Sequence, residues 1–431
     1  MKAVISNRIY LNKPTEGFEA IKNALTYKIE QKTAGRGGKH VTTIEVIRNY
    51  KILPNNIISI PQGRTDLIPE GCEVIDKRTV VDMPFPDPKL QLREGQQEVY
   101  DQVTGSCFIN ALVGWGKTMT ALHLARKLGQ KTLVITHTTM LRDQWVDEIR
   151  GLFGMEPGVI GSGEFDLDSA IVVGNIQTVT KHALKLSKEF GTIIMDEAHH
   201  CPATTFTALI DSMYAKYRIA LSGTMIRKDG KHILFRDYFG DQVFKPEQSH
   251  TLNPSVRIIR PGIALAHGEI WAKKINTLLY DTDYQEYISV IAETQMSKGH
   301  SVLVIADRVE FLTNVKEFVG EKCVLVIGET SFEERKQISE QVETGEITCI
   351  AGSRQIFSEG ISINRLSCVI LAAPIANEVL LEQIIGRIMR KHELKISPEV
   401  IDIHFSGPAD RKQNNLRFGF YMQKGWKVTT V

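Results

Sequence analysis

The run Ala111-Leu112-Val113-Gly114-Trp115-Gly116-Lys117-Thr118 has the residue types of a phosphate loop. It follows an apolar, strand-like stretch from Ser106 and opens a helical pattern that runs from Lys117 to Leu128. Glycines at 114 and 116 let backbone N–H groups approach phosphate oxygens, with Trp115 between them. Lys117 can set its ammonium on the β- and γ-phosphates, and Thr118 can offer its hydroxyl to Mg²⁺. Ala111 stands where G-x-x-x-x-G-K-[ST] has its first glycine; the two later glycines remain for the turn. A second string, Asp196-Glu197-Ala198-His199, follows the apolar run Gly191–Met195. A carboxylate at the carboxyl end of a strand is placed where ligands gather in open α/β sheets. Asp196 can hold Mg²⁺ through water while Glu197 orients or deprotonates the attacking water. His199, His200 and Cys201 do not make a zinc site, because no further Cys/His pair lies nearby at ligand spacing; they read as packing. A third string, Gln383-Ile384-Ile385-Gly386-Arg387-Ile388-Met389-Arg390, falls in a helical pattern from Asn377 to Arg390. Spacings of four and three put Gln383, Arg387 and Arg390 on one face. Arginines of this kind supply positive charge to a phosphoryl group in flight. In this order, and far apart in the chain, the strings predict a nucleotide site split between two domains of an ATP-driven nucleic-acid motor.

The elements that must position these residues are also legible. Apolar runs near Phe108, Leu133, Ile171, Ile193 and Ile219 alternate with helical patterns and predict a parallel, helix-covered sheet over residues 89–245. Residues 246–431 hold a crossing segment to about 275 and a second such sheet, with strands near Val302, Val324, Thr348, Val369 and Val400. Residues 1–88 end in the joint Pro84-Phe85-Pro86-Asp87-Pro88 and read as a small α/β domain. In it we expect a helix over about 15–32, with Thr15 as N-cap and Phe18, Ile21, Leu25 and Ile29 as its stripe. Strands are expected at Val4–Leu11, Val41–Ile47, Ile57–Pro61 and Val74–Val81. The basic loop Ala34–His40, with Arg36 and Lys39, reads either as a grip on DNA phosphates or as a solvated connection. The stretch Asp410–Trp426 interleaves bases and aromatics. It reads either as a nucleic-acid platform or, by a margin, as a helix docked by its aromatics.

Composition bounds the rest. The chain has 431 residues, 42% hydrophobic and 24% charged, enough for two to four proper cores without extended disorder. A net charge of +2 means that any nucleic-acid surface is a local patch. Cys72, Cys107, Cys201, Cys323, Cys349 and Cys368 are scattered without a C-x-x-C and read as reduced thiols of a cytoplasmic protein. No run reaches membrane-span length, and Met1–Leu11 lacks the apolar core of a signal peptide.

The three strings, with others in order between them, resemble the superfamily 2 helicases of the DEAH-bearing type over about residues 90–405. Leu92-Arg93-Glu94-Gly95-Gln96 is similar to the adenine-reading motif, which implies nucleotide contact by Arg93 and Gln96. Thr136–Leu141 and Asn175–Val179 resemble strand-contacting motifs. Ser222-Gly223-Thr224 resembles the motif that couples the two sites through Ser222 and Thr224. Ser301–Asp307 and Ser353–Ile363 resemble motifs IV and V, and so Gly360 is implied at the nucleotide. Within the superfamily, Phe357–Ile363 and Gly386–His392 are most similar to phage branch-migration helicases of the UvsW type, with RecG- and XPB-like motors more distant. Ser362 stands where many relatives carry Asp. The resemblance implies two tandem RecA-like domains with parallel helix-covered sheets after a small α/β N-terminal domain. It implies ATP with Mg²⁺, and a monomer acting on branched DNA in recombination, replication or repair. It implies strand-backbone contacts by Thr138, Gln177, Thr178, Arg308 and Ser353. An RNA-directed motor would use the same catalytic parts, because 2′-OH contacts choose the sugar. A nucleotide-gated clamp would need neither a water activator nor the arginines.

Overall fold

Alternating apolar runs and helical patterns become parallel strands and covering helices wherever both faces of a strand can be buried. The computed structural model describes residues 2–12, 17–34, 40–111, 114–198, 203–223, 230–246, 252–263, 271–359 and 363–431. The chain forms two compact units, Met1–Ala111 with Gly116–Glu247, and Leu112–Trp115 with Gln248–Val431.

In the first unit, the five expected strands are Cys107–Asn110, Thr132–Thr136, Ile171–Asn175, Thr192–Met195 and Tyr217–Ser222. They lie in one eight-stranded sheet, with Thr132–Thr136 between Ile171–Asn175 and Thr192–Met195, and with Tyr217–Ser222 between Thr192–Met195 and Cys107–Asn110. These pairings are all parallel. Gly158–Gly161 extends the sheet beside Ile171–Asn175 and turns back as the short Glu164–Phe165 edge strand. The strands bury Leu133, Ile135, Val172, Ile193 and Met195 against helical Phe206, Leu209 and Ile210.

The second unit carries a seven-stranded sheet, parallel throughout. The five expected strands appear as Val302–Ala306, Cys323–Val326, Cys349–Ser353, Cys368–Leu371 and Glu399–Ile403. Two more were not anticipated. Ser255–Ile259, inside the expected crossing segment, pairs with Glu399–Ile403 on one side and Lys427–Thr430 on the other. Its alternation sends Val256 and Ile258 into the core. Arg257, facing the other way, meets the Glu399 carboxylate at 2.7 Å. The helix Pro408–Gln423 packs by Phe420 and Tyr421, and Tyr421 stacks on Trp426 with centroids 6.1 Å apart. Arg417, fully buried, donates to Asp402 at 2.9 Å. Most aromatics of this stretch are therefore spent on docking, and Phe418 stays exposed.

The N-terminal segment forms a five-stranded sheet in the order Lys51–Leu53, Ile57–Pro61, Arg8–Asn12, Lys2–Ile5, Glu73–Asp76. The expected strand Val4–Leu11 is a hairpin instead, closed where Ser6 N–H donates to the Arg8 carbonyl. The strand expected to reach Val81 ends at Asp76. The long helix expected over 15–32 is corrected more sharply. Only Phe18–Ala24 is helical; Thr26–Ala34 is a strand paired with His40–Arg48. Ile29 fits both a helical stripe and a two-residue alternation. From Thr26 onward the alternation wins, with Tyr27 and Ile29 inward and Lys28 and Glu30 outward. Thr15 lies outside the described residues, as do Arg36 and Lys39.

Candidate nucleotide and nucleic-acid sites

The phosphate loop leaves the carboxyl end of the Cys107–Asn110 strand and enters the helix Lys117–Leu128. Gly116 caps that helix at φ 96°, in the left-handed region. That backbone favours glycine, and a Cβ there would also displace the end of the Gln96 side chain, 2.2 Å away. Gly114 is also left-handed, at φ 88°. The first-turn N–H groups at Lys117, Thr118 and Met119 have no helical acceptor and form an anion cradle at the positive end of the helix. Lys117 is buried; its ammonium donates to the Ala111 carbonyl at 2.9 Å and lies 3.9 Å from Glu197 Oε1. Gln96 Oε1 accepts from Arg93 N–H at 2.9 Å, and Gln96 Nε2 donates to the Gly116 carbonyl at 3.4 Å. The motif expected to read the base thus holds the phosphate loop directly.

Asp196 follows the Thr192–Met195 strand, and its N–H still bonds to the Ile135 carbonyl of the neighbouring strand. One carboxylate oxygen accepts from Trp145 Nε1 at 2.8 Å, and the other from Glu197 N–H at 2.9 Å. Burial, and then the Glu197 charge, push the Asp196 carboxyl up to about 6; Trp145 and Lys117 oppose the rise. Glu197 sits at φ 44°, a strained backbone for a residue with a side chain. Trp145 was missed in the sequence because it reads as an ordinary apolar position of the helix Thr139–Phe153; no pattern marks its indole N–H. Ser222 ends the adjacent strand, buried, and its carbonyl accepts from Ala111 N–H at 3.1 Å. A Cβ on Gly223 would come within 4.0 Å of Lys117 Nζ, so the Ser222-Gly223 turn borders the loop. His199, His200, Cys201 and Thr224 lie outside the described residues. The residues present fit a magnesium nucleotide: a glycine cradle, a buried ammonium and two adjacent carboxylates lie past the carboxyl ends of interior strands of one sheet.

In the second unit, the helix Glu378–Ile388 buries Gln383 and Arg387. Arg387 Nε donates to the Phe357 carbonyl at 3.0 Å. Arg390 is not on this helix, contrary to the spacing argument. The last turn tightens as Met389 N–H bonds back to the Gly386 carbonyl, and the Met389 carbonyl is taken by Leu252 N–H at 2.8 Å. The Arg390 carbonyl accepts from Lys395 Nζ at 2.7 Å. Burial, and then the nearby Arg390 charge, lower the Lys395 ammonium to about 7. Arg308 and Ser353 come together near the carboxyl ends of neighbouring strands, where Ala306 pairs with Ser353. Arg308 Nε donates to Asn276 Oδ1 at 2.7 Å. Gly360 and Ser362 lie outside the described residues.

Thr138, Gln177 and Thr178 line one open cleft of about 460 Å³ in the first unit. Thr138 Oγ1 caps the helix Thr139–Phe153 by accepting from Leu141 N–H, and Asn175 Oδ1 caps Ile176–Lys181 by accepting from Gln177 N–H. The starts of two helices therefore border the same space. Arg142 completes it, one turn after Thr138, donating to Ser162 Oγ at 2.9 Å. Thr138-x-x-x-Arg142 is a same-face spacing in the sequence, and that signal could have found Arg142.

Two sheets of this build, with a phosphate loop and a paired carboxylate on the first and buried arginine on the second, define a nucleotide-dependent motor. Residues 89–227 match the family model "Type III restriction enzyme, res subunit", and residues 284–392 match "Helicase conserved C-terminal domain". The chain is 40% identical over its whole length to "Probable helicase D10" of Escherichia phage T5, covering 96% of that protein. It is 25% identical to "ATP-dependent DNA helicase uvsW" of Enterobacteria phage T4, over 72% of this chain and 67% of that one. The structure of S. cerevisiae Dbp5 bound to RNA and ADP BeF3 shares the fold, with a TM-score of 0.56 at 11% identity over 78% of this chain and 89% of that one. The chain belongs to the superfamily 2 helicases, with two RecA-like domains. Membership implies ATP-dependent action on nucleic acid. Among the described residues no helix is long and apolar enough to cross a membrane.

Proposed function

We propose that the chain is an ATP-dependent DNA helicase or translocase that unwinds or branch-migrates forks, four-way junctions and displaced-strand loops, as a monomer in the cytoplasm of the cell where it is made. The observation that carries this reading is the adjacency of grip and hydrolysis in one sheet. The cleft of Thr138, Gln177 and Thr178 opens at the ends of Thr132–Thr136 and Ile171–Asn175, and Asp196 sits at the end of the very next strand, bonded to Ile135. DNA is favoured by the kinship with a protein named as a phage DNA helicase; branched DNA is our reading from the likeness of Phe357–Ile363 and Gly386–His392 to the branch-migration type.

ATP is the substrate, its terminal phosphoryl group passing to water as ADP leaves, and a bound Mg²⁺ would neutralise charge on the phosphates. Lys117 and the Gly114–Gly116 backbone would hold phosphate oxygens, Thr118 and Asp196 would hold Mg²⁺, and Arg93 and Gln96 would border the nucleotide. Glu197 accepts the proton of the attacking water. Gln383, Arg387 and Arg390 orient the water and stabilise charge on the transferring group. Ser222 and Thr224 couple the state of the nucleotide to the strand grip, with Arg308 and Ser353 contacting the strand from the second domain. The test is ATP turnover and strand displacement on single-stranded DNA, linear duplex, forks, four-way junctions and RNA. DNA-stimulated turnover with fastest remodelling of branched DNA is expected. Equal stimulation by RNA overturns the choice of DNA, and equal rates on linear and branched duplex overturn the choice of branch.

A further inference from the structure

Among the described residues, the strands Thr26–Ala34 and His40–Arg48 pair only with each other, in register from Thr26 opposite Arg48 to Ala34 opposite His40. A lone two-stranded ribbon is marginal in water and needs a reason to persist. One face supplies its footing. Tyr27 and Ile47 pack on the core of the first motor sheet, Ile29 is buried, and Glu45 accepts from Lys231 Nζ at 2.8 Å. Among the described residues, the opposite face is turned to solvent. Lys28 lies across from Val46, and Glu30 across from Ile44, with Arg48 beside them, all exposed. Ile44 is 61% and Val46 45% accessible, on one strand and one face. Among the described residues this face carries Lys28 and Arg48 against Glu30, and the sequence of residues 31–42 adds Lys32, Arg36 and Lys39 and no acidic residue.

We propose that this outer face docks in the groove of a duplex arm of DNA, with Ile44 and Val46 against base and sugar edges and Lys28 and Arg48 on phosphates. A major groove about 12 Å wide admits a two-stranded ribbon, and nine residues of strand extend it by about 30 Å. The positive balance selects a polyanion over a protein surface. Phosphate contacts in the motor position a strand without choosing a branch. A second contact tethered to the motor raises the effective concentration on any substrate that reaches both. The inference rests on the reading of the chain as a DNA motor, and its test separates the two.

The test compares the full chain with the pairs Ile44→Ser/Val46→Ser and Lys28→Ala/Arg48→Ala. Affinities for forks and for single strands are measured across salt, together with turnover stimulated by single-stranded DNA. We expect both pairs to weaken fork binding roughly 10-fold. The basic pair should also lower the slope of log affinity against log salt by about 2. Single-strand affinity and turnover should stay within about two-fold, since the changed residues lie outside the motor motifs. A photo-crosslinker at position 44 should label the duplex arm. Wild-type fork affinity and slope in both pairs, equal losses on single strands, or no crosslink overturns the ribbon assignment. Failure of DNA to stimulate the unaltered chain overturns the motor reading instead.

Discussion

Trp145→Phe tests whether the carboxylate expected to hold the cation depends on a donor that no motif contains. The indole N–H reaches Asp196 at 2.8 Å, and both residues are buried. Phenylalanine keeps most of the ring and removes only the donor. A hydrogen bond to a charged group contributes about 1.5–3 kcal/mol. Asp196 already carries the cost of burial beside Glu197, so little else can compensate. Its carboxylate should become both less available in charged form and less fixed in direction. Residues that orient a metal-holding carboxylate typically change metal affinity or activity by 10- to 100-fold. The expected outcome is therefore a rise of about 10- to 100-fold in the Mg²⁺ concentration giving half-maximal ATP turnover, with binding of single-stranded DNA in the absence of nucleotide unchanged. Thermal melting without Mg²⁺ should fall by several degrees for about 2 kcal/mol lost. Unchanged Mg²⁺ dependence together with an unchanged melting point would refute the reasoning, because the indole would then be core packing and Asp196 would be held by the Glu197 N–H alone.

Lys117→Ala removes a buried ammonium at the phosphates and should abolish ATP turnover and unwinding while DNA binding persists; turnover at the normal rate would misplace the phosphate loop. Arg390→Ala should leave ATP affinity largely intact and cut turnover by roughly 10³; near-normal single-turnover rates would remove it from the charge-stabilising role. Lys395→Met carries a pH signature. The folded ammonium titrates near 7 and the unfolded one near 10.5, so the unfolded chain binds the extra proton between those values. Folding stability from this group therefore rises with pH over that window and is lowest below about 7. Melting points of the wild type and of Lys395→Met, taken from pH 6 to 10, should converge toward high pH if this is right. A constant difference across the range would contradict it.

The parallel sheets were legible because buried strands flanked by helices leave long apolar runs, such as Thr132–Thr136 and Cys368–Leu371, that few other structures explain. The chemistry on them was legible for a related reason. Gly116, Lys117 and Asp196 must sit where a strand ends, and the strand end can be read. Signals failed where two periods overlap or where a partner is distant. Ile29 satisfied a helical stripe and a strand alternation equally, and only the pairing with His40–Arg48 decides between them. Arg390 followed Arg387 at helical spacing, but the helix ends at Ile388, where Met389 N–H bonds back to Gly386 and the Met389 carbonyl goes to Leu252, over a hundred residues away. Ser255–Ile259 is no shorter than these strands, but Arg257 interrupts its apolar run, and it does not announce a sheet strand until Glu399 is placed beside it.

The same dependence on distant partners changes how the first 88 residues can be studied. As an accessory domain behind a proline-rich joint, they invite removal, with the motor expected to run on. Asp237, in the short helix Phe235–Phe239, argues otherwise. It is fully buried and accepts from Tyr27 Oη at 2.8 Å, Asn49 Nδ2 at 2.6 Å and Arg64 Nη1 at 3.1 Å. Burial raises its carboxyl, and those three donors are what oppose the rise. Asp211 likewise receives both Nη1 bonds of Arg8, at 2.6 and 2.7 Å. Deleting residues 1–88 would leave Asp237 without these three donors, and breaking a buried charge pair from one side costs about 3–5 kcal/mol. A truncated chain that fails on forks would then report a damaged motor as readily as a lost DNA contact. Substitutions on the outer face of the ribbon avoid the confusion, because Ile44, Val46, Lys28 and Arg48 are exposed and lie opposite the residues that hold the segment to the motor.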